Sequence, residues 1–253
     1  MQKGVKFRIY PNKEQQSLIN QTLGCCRLIY NKGLAMRNAA CQSGEKIGYS
    51  QTSEMLTDLK KDDDFAFLKA VDSIALQQSL RDLNRGFVNF FQKRAGYPQF
   101  KSKHNRHQSY RTVNQGDNIR IVGKYIKLPK LGFVKIRQSM EIGKIHNITM
   151  EHTPTGKYFA VLNIEFEPQP VKNKGGTIGI DVGIKEFYSD SNGNEVCNPK
   201  YLEKSMRKLV REQRKFSRRQ KGSHNHNRQR VKVAFVHEKI TNQRNDFLQK
   251  QST

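Results

Sequence analysis

The hydrophobic and polar positions of the first third of the chain change from an alternating pattern to a helical one. Residues 4–10, GVKFRIY, alternate apolar with basic or polar side chains, which predicts a short strand. Pro11 ends this strand, and Asn12 is a residue type that caps helix N-termini. Apolar side chains then recur at spacings of three and four and predict one face of a helix; they are Ile19, Leu23, Cys26, Tyr30 and Leu34.

Two more helices are predicted before residue 96. A loop at 41–50 precedes a shorter helix from about Gln51 to Lys61. The third helix begins with Asp72 as its cap and stops at RAGYP, where glycine and proline terminate it. The apolar face predicted for this helix consists of Leu76, Leu80, Leu83, Phe87 and Phe91.

From Gly96 to about Pro168 the pattern has period two, which predicts a set of strands. One hairpin turns at Gly123-Lys124, GFVKIR adds a strand, and a final pair turns at TPTG. After a linker, GTIGIDVG reads as a short apolar strand, and KEFYSDSNGNEV as two strands joined at residues 191–193. Pro199 begins a long helix, and a second helix runs from about Arg228 to Lys250, so the two form a hairpin or one broken helix.

The charge balance changes the picture from a generic folded chain to one with an anionic partner. The 253 residues carry 46 Lys or Arg against 22 Asp or Glu, a net charge of +24. Such a charge repels itself without an anionic partner, so nucleic acid is the first candidate and an anionic membrane surface the second. The sequence contains no run of about 18 apolar residues, so it predicts no membrane span. The N-terminus has no apolar signal core, so we expect a cytoplasmic protein.

Cysteine and histidine usage does not predict a metal centre. The four cysteines form no C-x-x-C pair, so we expect no zinc site in this chain and a reduced compartment. His224 and His226 lie in a polar, basic break that favours a loop near phosphate over a metal site.

The C-terminal helices are the strongest candidate interface. Residues 200–250 hold 16 basic and four acidic residues, half of the net charge of the chain. The alternative is an ordinary solvated helix face. However, the excess charge is positive throughout and acidic partners at i,i+4 are scarce. This favours binding to a phosphate backbone. The candidate residues are Lys204, Lys208, Arg211, Arg214, Lys215, Arg218, Arg219, Lys221, Arg228 and Arg230.

A second candidate is the stretch GYPQFKSKHNRHQSYR, residues 96–111. Interleaved aromatic and cationic side chains suit unpaired bases and phosphates. The alternative is a basic loop whose aromatic side chains lie in the core, and the sequence leaves both open. The aromatic residues are Tyr97, Phe100 and Tyr110, and the candidate cations are Lys101, Lys103, Arg106 and Arg111.

Asp181 is the candidate catalytic residue. A lone aspartate near a strand end more often caps a turn, and a carboxylate sunken in an apolar strand requires a compensating cation. A strand with a central aspartate, then a tight meander and a helix, is typical of the start of an RNase H-like nuclease fold. There Mg²⁺ would explain the carboxylate and would activate water for phosphodiester hydrolysis. One carboxylate cannot build that site, and at least two more are needed.

Several blocks together resemble TnpB, the OrfB-type protein of small bacterial insertion sequences. They are GIDVGIKEF, KFRIYPNKEQQ, VDSIALQQSLRDLNRGFVNFF, GYPQFKSKHNRHQSYRT and NPKYLEKSMRKLVREQRKFSRRQ, and with their flanks they cover nearly the whole chain in order. The family is similar to type V CRISPR effectors, and the resemblance implies an RNA-guided DNA endonuclease with DNA and guide RNA as partners.

The resemblance also implies an α+β multidomain fold. Residues 1–11 would be the first strand of a wedge-like β-barrel, 12–95 a helical lobe inserted in it, and 96–170 the rest of the barrel, which grips guide RNA. After a linker at 171–176, residues 177–253 would be the N-terminal part of a RuvC-like domain with its basic helical pair. Asp181 would be its first Mg²⁺ ligand.

The chain departs from the family pattern in ways that bear on activity. A family nuclease continues with a later Glu, a zinc ribbon and a final Asp, none of which can be placed here, and Glu186 stands where the family usually has Asn. We therefore expect a C-terminally truncated, incomplete nuclease that binds nucleic acid but does not cleave alone. The alternatives are half of a split nuclease completed by a C-terminal fragment in trans, a nuclease-dead RNA-guided regulator, and a non-functional gene remnant.

Overall fold

The computed structural model describes residues 1–105, 107–168 and 175–252, which form two compact units, Met1–Pro168 and Gln169–Thr253. Most of the predicted linker at 171–176 lies outside the described residues. Among the residues that the structure describes, no helix combines the length and the apolar character needed to cross a bilayer.

The first unit begins with a strand and a group of helices. Asn12 caps the first helix as predicted: its Oδ1 accepts from the Gln15 amide at 2.8 Å, and the Gln15 side chain accepts from the Asn12 amide at 3.0 Å. These reciprocal bonds form a capping box. The elements are β1 (Gln2–Tyr10), α1 (Lys13–Gln42), α2 (Tyr49–Leu59), a short 3₁₀ helix (Asp63–Lys69) and α3 (Ser73–Phe91).

Six further strands complete an antiparallel sheet with the order β2-β6-β7-β1-β5-β4-β3. Strand β1 therefore lies in the middle of the sheet, and the helices are inserted in the chain between this central strand and the other six. The six strands are β2 (Gln108–Val113), β3 (Arg120–Val122), β4 (Tyr125–Leu128), β5 (Gly132–Arg137), β6 (Ile145–His152) and β7 (Tyr158–Glu165).

The apolar faces of the helices and one face of the sheet share a single core. Leu23 of α1, Leu76 and Leu80 of α3, and Ile126 and Leu162 of the sheet belong to one cluster of buried side chains. The period-two and period-three-to-four patterns thus identified the buried positions correctly. Phe91 is an exception: predicted on the apolar face of α3, it is 74% exposed, because α3 ends at this residue rather than at Gly96.

The two edges of the sheet are held together at one end. The Asn114 side chain, just after β2, donates to the carbonyls of Ile119 and Ile145 at 3.0 Å each and accepts from the Ile119 amide at 2.9 Å. Ile119 precedes β3, so this asparagine links the edge strands β2 and β3 and curls the sheet. Helices around a curled antiparallel sheet confirm the α+β prediction at this level, while the wedge-like barrel stays a prediction.

The second unit is a small sheet followed by a helical hairpin. The antiparallel sheet has the order β10-β9-β8, and the predicted turn at residues 191–193 joins β9 to β10. The helices α4 and α5 form the predicted hairpin around Leu209, Val236 and Ile240. The elements are β8 (Ile180–Asp181), β9 (Glu186–Asp190), β10 (Glu195–Cys197), α4 (Tyr201–Ser217) and α5 (His224–Gln251).

The second helix begins earlier than predicted. The Ser223 hydroxyl accepts from the His226 amide at 3.1 Å and caps α5, so His224 and His226 lie in its first turn rather than in a polar break. The His226 ring stacks on Phe216 of α4 with the ring centres 4.4 Å apart. That this unit is RuvC-like, and that it is an incomplete RuvC-like domain, stay predictions.

Candidate nucleic-acid interface

The helical hairpin is held together by an apolar seam and by a polar contact between Gln229 and Glu212. Gln229 of α5 donates through Nε2 to the Glu212 carboxylate at 2.7 Å and to the Glu212 carbonyl at 3.1 Å. Both residues are buried, so this contact fixes the register of α5 against α4.

Five lysines surround one groove along this hairpin. Lys204, Lys208 and Lys215 reach it from α4, and Lys232 and Lys239 from α5, around a volume of about 540 Å³. We call these five residues the lysine groove. The one acidic side chain lining it is Glu212, which already accepts from Gln229. The groove therefore presents excess positive charge along a length of helix, as a phosphate backbone requires.

Glu212 is held closely by its surroundings in the hairpin. Its side chain is 10% exposed, with Arg211 Nε at 3.4 Å and Lys215 Nζ at 4.0 Å. The hydrogen bond from Gln229 lowers the pKa of Glu212, and the charges of Lys215 and Arg211 lower it further. The carboxylate is thus held in its charged form, and the lysines around it remain a net positive surface.

Acid is expected to weaken this hairpin through Glu212. Because its pKa is lower folded than unfolded, its contribution to the free energy of unfolding is present above its usual pKa of 4.5 and is lost as the pH falls through the lowered value. The difference in melting temperature between the wild type and Glu212→Gln should therefore shrink as the pH falls from 7 to 3. Glu203→Gln, which changes an exposed carboxylate of the same helix, is the control; an equal pH dependence in both variants would refute the assignment.

A second basic surface lies on α4. Its arginines flank Met206 and Val210 around a hollow of about 510 Å³. Arginine suits phosphate because its guanidinium donates two parallel hydrogen bonds. Lys215 lines this hollow as well as the lysine groove, so the two basic surfaces adjoin. The arginines are Arg207, Arg211, Arg214 and Arg218.

The remaining predicted residues of the hairpin lie near the connection of its helices. Arg219, Lys221 and Arg228 are exposed, and Arg230 is half-buried. Lys232 and Lys239 were missed by the sequence analysis, although their seven-residue spacing places both on one side of α5. Their grouping with the lysines of α4 depends on the helix pairing, which the spacing alone does not give.

The aromatic residues of the segment 96–111 serve mainly the packing of the first unit. Tyr110 is buried, and its burial raises the pKa of its hydroxyl far above the usual range. Tyr97 donates to Asn38 Oδ1 at 2.6 Å and packs edge-on against Phe87 and Phe90. Phe100 is 56% exposed. For the first two of these aromatics the structure favours the packing interpretation over base stacking.

Two of the four candidate cations in this segment have partners inside the protein. Lys101 Nζ lies 4.1 Å from the centre of the Tyr30 ring, and desolvation lowers its pKa while Asp82 partly opposes that shift. Arg111 forms an ion pair with Asp82 at 2.6 Å. Lys103 is exposed, and Arg106 lies outside the described residues. The assignment of these four cations to nucleic acid stays a prediction.

Asp181 is exposed, which corrects the expectation of a sunken carboxylate. It lies on the edge strand β8 opposite Ser189, and the apolar residues around it are also exposed. The charge is therefore solvated and requires no compensating cation. Among residues 1–105, 107–168 and 175–252, no three His, Cys, Asp or Glu side chains cluster closely enough to hold a metal ion. Asp181 with these surroundings does not fit a Mg²⁺ site, and the described residues assign it no hydrolytic step.

Two family models match the chain. One is described as a probable transposase, OrfB of IS605, and matches residues 148–253; the other is described as the helix-turn-helix domain of the same proteins and matches residues 1–46. In the structure, residues 1–46 contain one strand, β1, and one long helix, α1.

Two curated relatives match the chain over nearly its whole length, and a third matches part of it. A "Putative RNA-guided DNA endonuclease" of Streptomyces pristinaespiralis is 35% identical over all of this chain and 64% of the relative. The "Putative RNA-guided DNA endonuclease InsQ" of Escherichia coli K12 is 34% identical over 98% of this chain and 62% of the relative. The "Virulence protein VsdF" of Salmonella dublin is 34% identical over 42% of this chain and 98% of the relative. The chain thus spans slightly less than two thirds of the length of the first two.

Proposed function

The chain belongs to the OrfB family of IS605-type probable transposases, and on that premise we propose that it binds guide RNA and DNA in the bacterial cytoplasm. Two of its relatives are named as RNA-guided DNA endonucleases, and those names supply the two partners. In RNA-guided recognition, base pairing between guide RNA and target DNA identifies the sequence, and the protein contacts the nucleic-acid backbones.

The observation that carries this proposal is the lysine groove. Lysines from both helices line it, and Glu212, its one lining acid, is held by Gln229. Such a surface neutralises phosphates without reading bases. The arginines on α4 extend the same surface, so a backbone that follows α4 would meet cations on both sides.

We further propose that the 253-residue polypeptide does not cleave DNA by itself. Of the carboxylates that the resemblance requires, only Asp181 can be placed in this sequence, and it is solvent-exposed. Mg²⁺ would supply water activation in a complete site, but further carboxylates would have to join Asp181 first.

Completion of that site by a C-terminal fragment in trans is the second candidate, and one observation favours it. Four apolar side chains alternate along and around β8 and are exposed by 53% (Ile178), 58% (Ile180), 71% (Val182) and 90% (Ile184). Exposed apolar rows on an edge strand mark a surface that another strand or helix covers. A nuclease-dead regulator and a non-functional remnant remain as outcomes of the test below.

Binding without cleavage is the expected result when the polypeptide is mixed with Mg²⁺, RNA and a supercoiled plasmid. Gel-shift and nicking assays should show a retained complex and intact plasmid, and Asp181→Ala should bind equally well, because Asp181 does not line the lysine groove. Specific cutting by the polypeptide alone would contradict the proposal. Absence of both binding and a cooperative melting transition would identify a remnant.

A further inference from the structure

The face of the large sheet that is turned away from the shared core carries a row of exposed aromatic and basic side chains. The cross-strand pairs Val122–Tyr125, Tyr125–Lys135 and Lys135–Tyr10 follow one another across β3, β4, β5 and β1. The neighbouring row pairs Lys127 with Phe133. We call these six residues, Tyr10, Val122, Tyr125, Lys127, Phe133 and Lys135, the sheet surface.

The aromatic rings of this surface are exposed although the same strands bury their other face. Tyr10 is 47% exposed, Tyr125 48% and Phe133 52%, whereas Ile126 and Val134 beside them are fully buried. Neighbouring strands lie about 4.8 Å apart, so the backbones at Tyr10 and Tyr125, with Lys135 between them, are about 10 Å apart. Several rings in register on one face form a patch, unlike scattered single exposed residues.

The charges on the four strands that carry the sheet surface have one sign, whereas β6 contributes Glu151, which pairs with Lys6. The outward positions of β1, β3, β4 and β5 include six cations and no acidic residue. At β7 the ring of Phe159 already has Lys6 at 4.7 Å and Arg8 at 5.1 Å, so its face is occupied by cations of the protein. Arg8 also lies 5.5 Å from the centre of the Tyr10 ring. Among the described residues no such cation lies over Tyr125 or Phe133, which leaves these two rings to a ligand. The six cations are Lys6, Arg8, Arg120, Lys127, Lys135 and Arg137.

We propose that the sheet surface binds single-stranded nucleic acid by stacking unpaired bases on Tyr125 and Phe133. The phosphates between those bases lie against Lys127 and Lys135. Aromatic rings interleaved with cations fit this ligand, because unpaired bases have free π-faces and a duplex does not present them. An acidic protein would contact the cations but would give the aromatic rings no flat partner on which to stack. This inference rests on the proposed function only in taking the ligand to be nucleic acid, and it concerns a different surface from the lysine groove.

The test compares two oligonucleotides that differ only in their bases. A 12-nucleotide oligouridylate and an abasic 12-mer of equal charge are titrated with the full chain, and binding is followed by fluorescence anisotropy. The wild type should bind the oligouridylate more tightly than the abasic strand. Tyr125→Leu combined with Phe133→Leu should weaken oligouridylate binding about fivefold or more for each ring and leave the abasic strand unaffected.

Two further variants separate stacking from other effects. Tyr125→Phe with Phe133→Tyr keeps both rings and should bind as the wild type does. Phe91→Ala removes a ring that is more exposed than these but lies on α3, and should also leave binding unchanged. Equal wild-type affinity for both oligonucleotides would overturn the inference while leaving salt-dependent backbone binding, and so the proposed function, intact. A change of sedimentation in the leucine variant with unchanged oligouridylate binding would assign the surface to a second copy instead, which also overturns it.

Discussion

Replacing the five residues of the lysine groove with glutamine should weaken binding to duplex DNA by about five hundredfold at 0.1 M salt. Each phosphate contact contributes about 0.9 of a decade in affinity between 1 M and 0.1 M salt, and three of the five lysines in contact at once give this factor. Glutamine keeps a similar length and helix propensity, so the hairpin should remain folded. The measurement is a gel-shift titration at 0.1 M salt.

A control with the same loss of charge separates the groove from the total charge. Five exposed lysines of the first unit, changed to glutamine together, lower the net charge by the same amount but lie outside both basic helices. We expect their loss to change affinity less than tenfold, since exposed charges beyond about 10 Å are largely screened. An equal loss in both variants would mean that binding follows net charge and not the groove. The control residues are Lys13, Lys46, Lys61, Lys69 and Lys93.

Leu80→Ala should lower the free energy of unfolding of the first unit by about 2–5 kcal/mol. The Leu80 side chain on α3 is fully buried in the core shared by the helices and the sheet. Gly33 on α1 lies against it: a Cβ added at Gly33 would come within 2.9 Å of Leu80 Cδ2. The truncation therefore removes buried apolar area and also leaves a cavity at the closest approach of two helices.

Because Gly33 lies against Leu80, the effect of Gly33→Ala on stability should depend on whether Leu80 is present. Gly33→Ala alone should destabilise the unit, because the clash outweighs the gain in helix propensity of about 1 kcal/mol. In the Leu80→Ala background the closest contact is removed while Leu83 Cδ2 remains 3.1 Å from the added Cβ, so Gly33→Ala should destabilise less than it does alone. Urea unfolding followed by circular dichroism measures all four proteins of this cycle, with Val88→Ala, at a position 45% exposed, as the near-neutral control. Additive effects at positions 33 and 80 would contradict the packing described here.

The parts of the fold that follow from local patterns were predicted well. Asn12 and Asp72 cap their helices through their own side chains, a contact that spans two or three residues and is legible in the sequence. The alternation in β1 and β7 correctly separated the buried residues, such as Phe7 and Ala160, from the others.

The parts of the sites that depend on long-range packing were not predictable in this way. Alternation shows that Tyr10 lies opposite Ile9, but only the strand order places it beside Lys135. Lys101 looks like a free cation until the fold brings it over Tyr30. Asp181 looked sunken because its neighbours are apolar, yet burial requires something to pack on those neighbours, and the described residues do not cover them.

The salt dependence of duplex binding tests the central claim, that phosphates lie in the lysine groove, most directly. The slope of log affinity against log salt concentration is to be measured for the wild type, the five-lysine groove variant and the five-lysine control. If at least three phosphates lie in the groove, the slope of the groove variant is shallower than that of the wild type by about three, and the control keeps the wild-type slope. A groove variant with the wild-type slope would contradict the account.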